Sequence, residues 1–288
     1  MKVKSEYSTR ELEACVVVMR ELFTYLKPYR NQIVLIGGWV PYFLLEKHTP
    51  SGREYDQHIG SLDIDIALDA FSIPTDAYKT ILEILRERGF YHRKDNLGKD
   101  IPASFLKKVI FEDGDEIEVQ IDFLAPEYGG APKKKRHQVI QDMLARKGRG
   151  TDIVFDQTEI IRLSGPISTG ANIELDIKVA NVTACFVIKG IAIGERTSEK
   201  DAYDLYMLAP PQDEEKLRKI AQVLNIKFGS PLWQEMKDKA NIDAGIIPED
   251  IQTNEKVLNS LPMFFRTIRS EKPTPEELDK LIDMIRKE

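Results

Sequence analysis

The sequence has little cysteine, two residues in 288, at Cys15 and Cys185. Both lie in apolar helical patterns without metal-type spacing, so neither a disulfide scaffold nor a zinc ribbon is expected, and a reducing cytoplasm fits. Long apolar runs are also missing. The longest apolar-rich stretch, 182–193, is broken by Lys189 and Gly190, well short of the ~18 residues of a membrane span. The opening MKVKSEYSTRELEA lacks the apolar core of a secretory signal. Neither sign of charge dominates: 41 Lys+Arg against 47 Asp+Glu leave a net charge of −6. That excludes a protein coating nucleic acid by bulk charge, though not a local basic patch. Only four histidines occur (His48, His58, His92, His137). They show no helical pairing, and none is assigned to catalysis.

What is present reads as a globular chain, with 42% hydrophobic and 31% charged residues, far from a disordered composition. Ser8 and Glu11 form a capping box. Leu12, Cys15, Val16, Met19, Leu22, Phe23 and Leu26 then recur at helical spacing, up to Pro28. Ile33–Ile36 reads as a short buried strand closed by Gly37-Gly38, with an apolar helix from Trp39 to Leu45. A polar loop, Lys47 to Gly60, leads to the alternating Leu62–Asp69. Pro74 opens a helix to about Arg88. Two further alternating segments, Phe105–Phe111 and Glu116–Leu124, flank the hairpin signal Asp113-Gly114. Beyond the basic loop Tyr128–His137 come three strand candidates, Asp152–Phe155, Glu159–Leu163 and Asn172–Ile177. Helical patterns dominate from about Val179. The expected architecture is α+β, a mixed sheet with flanking helices over 1–178 followed by a helical domain over 179–288.

Side chains alternate across a strand. In Leu62-Asp-Ile-Asp-Ile-Ala-Leu-Asp69, therefore, Leu62, Ile64, Ile66 and Leu68 share one face, and Asp63, Asp65 and Asp69 the other. Glu116–Phe123 repeats the arrangement, with Glu118, Gln120 and Asp122 opposite Ile117, Val119, Ile121 and Phe123. Asp disfavours strands, and like charges on adjacent strands repel. Neither polar face contains a cation. Oxygen-only donors suit a hard divalent ion, Mg²⁺ or Mn²⁺. Asp63, Asp65 and Asp122 could hold one or two such ions and orient a nucleoside triphosphate. The plain alternative is a half-exposed sheet whose carboxylates face water, the reading kept for Glu118 and Asp69. Gly37-Gly38, between a strand and a helix, would let backbone N–H groups approach a phosphate.

The order strand, Gly37-Gly38, helix, Ser61-Leu-Asp63-Ile-Asp65, then a strand carrying Asp122, resembles the nucleotidyltransferase superfamily typified by DNA polymerase beta. Two further motifs, Lys189-Gly-Ile-Ala192-Ile-Gly-Glu-Arg196 and Asp201-Ala-Tyr-Asp204-Leu205, make the chain look most like the AbiEii toxin family. The polar loop before Asp63 is longer than that family's minimal form, and Trp39 replaces a small or polar residue. The resemblance implies a nucleotidyltransferase fold and transfer of NMP from an NTP to an acceptor hydroxyl. Asp63 and Asp65 would bind metal, and Asp122 would bind metal or act as general base. Gly37, Gly38, Ser61, Lys189 and Arg196 would hold the triphosphate, Lys189 counting among the catalytic residues too, with Asp204 a catalytic or orienting carboxylate. It further implies tRNA or another RNA as acceptor and an antitoxin protein as partner.

Each motif has a blander reading beside it. Lys189 could be a buried-helix lysine snorkelling to solvent, and Asp201 or Asp204 could simply bridge Arg196. Lys133–Arg136 reads as a solvated loop before it reads as an RNA grip. Trp39 and Trp233 read as packing residues. Two rival functions stay open: a catalytically silent nucleotide-binding or interaction module on the same fold, and an aminoglycoside-type small-molecule nucleotidyltransferase.

Overall fold

The computed structural model describes residues 8–48, 58–74, 79–127, 136–195, 200, 201, 204 and 208. Chain contacts divide it into two compact units. One comprises Tyr7–Val40 and Gly60–Ala180; the other comprises Met1–Glu6, Pro41–Ile59 and Asn181–Glu288.

The first unit is built on a nine-stranded mixed sheet. Its strands are β1 (Ile33–Ile36), β2 (Asp63–Leu68), β3 (Tyr91–Lys94), β4 (Asp100–Ile110), β5 (Glu116–Pro126), β6 (His137–Ile140), β7 (Met143–Gly148), β8 (Thr158–Pro166) and β9 (Asn172–Ala180). The order is β3-β4-β5-β2-β1-β9-β8, with β7 joining β5 and β6 pairing with β7. The pairs β1–β9, β2–β5 and β5–β7 are parallel and the rest antiparallel. The expected α+β class is what the described residues show.

Helix α1 (Thr9–Tyr25) starts at the expected capping box, Ser8 Oγ accepting from the Glu11 amide and Glu11 reaching back to the Ser8 amide. Its buried stripe runs through Ala14, Cys15, Val18, Met19, Leu22 and Phe23. Val18 and Ala14 thus lie inside, while Val16 is only half-buried. The helix packs against β4, β5 and β8. Lys107 of β4 lies 3.8 Å from the buried Glu21 carboxylate of α1. Lys107 pairs with Val119, so α1 covers the apolar face of the sheet, and the acidic residues lie on the other.

Several boundaries differ from expectation. The helix expected from Pro74 is described as α3, Ile81–Glu87, begun by a second capping box at Thr80 and Glu83; residues 75–78 lie outside the description. Asp152–Phe155 is a 3₁₀ turn at Ile153–Phe155, not a strand. It closes through Asp156 N–H donating to the Ile153 carbonyl. Strands β3, β6 and β7 have no counterpart in the sequence reading, since Tyr91-His-Arg-Lys94 has no apolar alternation and β6 and β7 are short. β4 begins at Asp100, five residues before the expected Phe105. The Asp113-Gly114 hairpin is as expected, with Gly114 at φ +85° between antiparallel β4 and β5.

Helix α2 (Trp39–His48) follows β1. In the second unit, α4 (Val182–Glu195) begins two residues after β9. The Asn181 side chain accepts from the Ala184 amide there, as an N-terminal cap does. The helices expected from Pro211 onward lie outside the described residues.

Candidate functional site

Parallel pairing of β2 with β5 sets Asp63 beside Gln120 and Asp65 beside Asp122. Residues paired across a ladder share a face, so the three aspartates occupy two neighbouring rungs of one surface. Their strands hold them there through Ile64, Ile66, Ile121 and Phe123, all fully buried on the other side. The side chains are half-buried, and two of them take bonds from neutral donors. Ser61, itself buried, donates its hydroxyl to Asp63. Gln120 Nε2 donates to Asp122 Oδ2 at 2.9 Å.

Gly37 sits at the end of β1 with φ +79°, a backbone state that only glycine enters freely. A Cβ placed there would overlap Oδ2 of Asp65, so the Asp65 carboxylate lies directly on the Gly37 backbone. Gly38 is buried. Trp39 is a core residue, 1% exposed, its ring packed on Gly60, which agrees with the packing role expected for it.

The same face changes character further along β5. Glu116 accepts from Lys108 at 2.7 Å, and Glu118 accepts from the Tyr91 hydroxyl. This end is exposed, and its acids have a cation or a phenol at hand.

The donor chemistry and register of Asp63, Asp65 and Asp122 fit a hard cation. As they stand, however, no group of three or more His, Cys, Asp or Glu side chains among the described residues is placed to hold a metal ion. Asp63 is turned to Ser61, and Asp122 to Gln120.

The second constellation belongs to the other unit. Lys189, on α4, is buried. Its ammonium lies 2.9 Å from Asp201 Oδ1 and 2.6 Å from Asp204 Oδ2. The other oxygen of Asp204 meets His58 Nε2 at 2.9 Å, with both side chains at 0% exposure. Burial works against charge on Lys189, but Asp204 and Asp201 outweigh it and hold the ammonium above its ordinary range. Burial likewise opposes ionisation of Asp204, yet Lys189 and then His58 keep that carboxyl below its usual value. Burial pushes the His58 imidazole down, more than Asp204 raises it. The neutral ring therefore donates Nε2–H to Asp204. The thiol of Cys185, one turn before Lys189, is pushed up to about 12, mainly by burial.

The salt bridge weighed for Asp201 and Asp204 is thus made with Lys189. Arg196 lies outside the described residues, as do Lys133–Lys135 of the basic loop. His58 is a residue that sequence reasoning missed, because a lone histidine in a polar loop carries no periodic signal.

No family model matches the sequence, and no curated protein matches it. Among solved structures, the chain is similar to an antigenic nucleotidyltransferase-like protein from Paracoccidioides brasiliensis. The identity is 12% over 96% of this chain and 94% of that one, with a TM-score of 0.37. A likeness of that size does not establish a shared fold.

Proposed function

We propose that the chain is a divalent-metal-dependent nucleotidyltransferase. The observation that carries this reading is the register of β2 and β5, which sets Asp63, Asp65 and Asp122 on one face beside the Gly37 turn. The resemblance in motif order supports it. Asp63, Asp65 and Asp122 would hold Mg²⁺ or Mn²⁺ once their carboxylates turn from Ser61 and Gln120. The bound ion supplies charge neutralisation for a triphosphate. Asp122 accepts the proton of an acceptor hydroxyl, whose oxygen bonds to the α-phosphorus of the NTP as the bond to pyrophosphate breaks. Gly37 lies against Asp65, where its backbone would meet phosphate oxygens; Gly38 and Ser61, which are buried, back the aspartates from beneath.

Lys189 and Asp204 enter this reading as a buried scaffold, since side-chain exposures of 8% and 0% leave no surface for a triphosphate. The resemblance adds an RNA acceptor, tRNA first, and a toxin-like role with a separately encoded antitoxin.

The test is incubation with each α-labelled NTP, Mg²⁺ and total RNA, beside an Asp63→Ala/Asp65→Ala variant. Label transfer by the native chain and loss of at least a hundredfold in the variant are expected. Equal transfer by both removes the carboxylates from the chemistry. A second reading, a silent nucleotide-binding module, is favoured by the neutral bonds that occupy Asp63 and Asp122; it predicts NTP binding without pyrophosphate release.

A further inference from the structure

The acidic face has one more polar group, and it is not a carboxylate. Ser104 lies on β4 directly across from Asp122, so the row running from β4 to β2 reads Ser104, Asp122, Asp65. Ser104 is 3% exposed, and its hydroxyl oxygen is buried without a hydrogen-bond partner. A buried hydroxyl left unsatisfied costs about 1–3 kcal/mol, so a strand interior keeps one only where something answers it. The other residues of β4 on this face do not share its problem: Leu106 is apolar, and Lys108 is bonded to Glu116. Ser104 is too enclosed to touch a substrate. Directly opposed residues of an antiparallel pair bring their Cβ atoms within about 5 Å, which puts the Asp122 carboxylate within its reach.

We propose that Ser104 is a positioning residue for Asp122, its hydroxyl donating to the carboxylate when Asp122 turns from Gln120 toward its working orientation. Asp122 thus exchanges one donor for another, Gln120 along its own strand for Ser104 across the ladder. One carboxylate oxygen is always held while the other is presented to the face. A serine suits this role because its O–H can swing to either oxygen, whereas alanine would leave Asp122 with Gln120 alone. The kinetic side of this inference rests on the transferase reading; the contact rests only on a divalent ion drawing Asp122 from Gln120.

The experiment is a double-variant cycle in the full chain, Ser104→Ala and Asp122→Ala singly and together, with Ser104→Thr as the conservative control. Thermal unfolding with and without Mn²⁺ reads the contact. Without the ion, where the hydroxyl has no partner, Ser104→Ala is expected to leave the midpoint unchanged or raise it; with the ion it is expected to lower the midpoint on the order of 3 °C in the native background and to add nothing in the Asp122→Ala background. Equal losses with and without Mn²⁺, or in both backgrounds, mark Ser104 as packing only and overturn the proposal. In pyrophosphate release, Ser104→Ala is expected to lower kcat about tenfold with KM for the NTP unchanged, and Ser104→Thr to restore it. A raised KM at unchanged kcat, or no change in either, also overturns it. If the native chain releases no pyrophosphate, the transferase reading fails, and the thermal cycle still decides whether Ser104 and Asp122 are coupled. If Ser104→Thr does not fold, the alanine cycle decides alone.

Discussion

Two sets of aspartates, built from the same residue type, are wired in opposite ways. Asp63, Asp65 and Asp122 are half-buried on a sheet face, and the bonds to Asp63 from Ser61 and to Asp122 from Gln120 carry no charge. Asp201 and Asp204 are buried in the other unit and share the Lys189 ammonium. The difference teaches what burial demands. A half-buried carboxylate can be solvated by water as well as by its protein donors. A fully enclosed one needs a counter-ion and a donor for each remaining oxygen, and Asp204 has both, in Lys189 and His58.

The sharpest way to break this comparison is to remove the counter-ion. Lys189→Met removes the ammonium that two enclosed carboxylates share and should cost on the order of 3–5 kcal/mol in urea unfolding. Asp65→Asn on the half-exposed face should cost less than about 1 kcal/mol, or stabilise by easing repulsion. Comparable losses in the two variants would erase the distinction between the enclosed cluster and the half-exposed face.

Next in size is Gly37→Ala, which meets both the +79° backbone and the overlap with Asp65. A loss of about 1–3 kcal/mol is expected. Combining it with Asp65→Gly should recover the part due to the overlap and leave the backbone strain. No recovery would mean that Asp65 does not rest on Gly37.

The smallest effect is a dependence on pH. His58 titrates lower in the folded chain than its ordinary 6.5, so below about that pH the unfolded chain takes up the proton first and stability falls. Asp204 is also depressed, from 3.8, so its contribution is present above that value and is lost as pH falls through the folded one. Lys189 is raised above 10.5; its contribution is full below that pH and disappears only as strong alkali passes its folded value. Unfolding midpoints should therefore plateau between about pH 6.5 and 9.0 as far as this cluster is concerned, the upper bound set by Cys185, whose ordinary 9.0 is pushed up to about 12, then fall on the acid side. His58→Gln should flatten the first acid step, and an unchanged profile would remove His58 from the buried cluster.

Much of the fold was legible because its cues are local. The Ser8–Glu11 capping box, the four-residue strand Ile33–Ile36, the turn at Asp113-Gly114 and the alternation along β2 and β5 each depend on neighbours within a few positions. The Thr80–Glu83 box carried an equally local cue that was overlooked in favour of Pro74. The strands β3, β6 and β7 left no such trace. They are held by ladder bonds to neighbouring strands rather than by their own apolar pattern, and Asp152–Phe155 shows the reverse error, a short apolar run, Ile153–Phe155, that closes a 3₁₀ turn instead.

For the candidate site, alternation alone put Asp63 and Asp65 on one face, and Asp122 opposite its own apolar neighbours. That the two faces are the same one was decided by the parallel register of β2 with β5, which no property of either segment specifies. The antiparallel register of β4 with β5 brought Ser104 beside Asp122. Lys189, Asp201 and Asp204 were visible as motifs, but their mutual neutralisation and the recruitment of His58 from a distant loop were not. Periodicity reports which way a side chain points along its own strand or helix. Which charge it meets there depends on segments far away in sequence, and only the folded chain settles that.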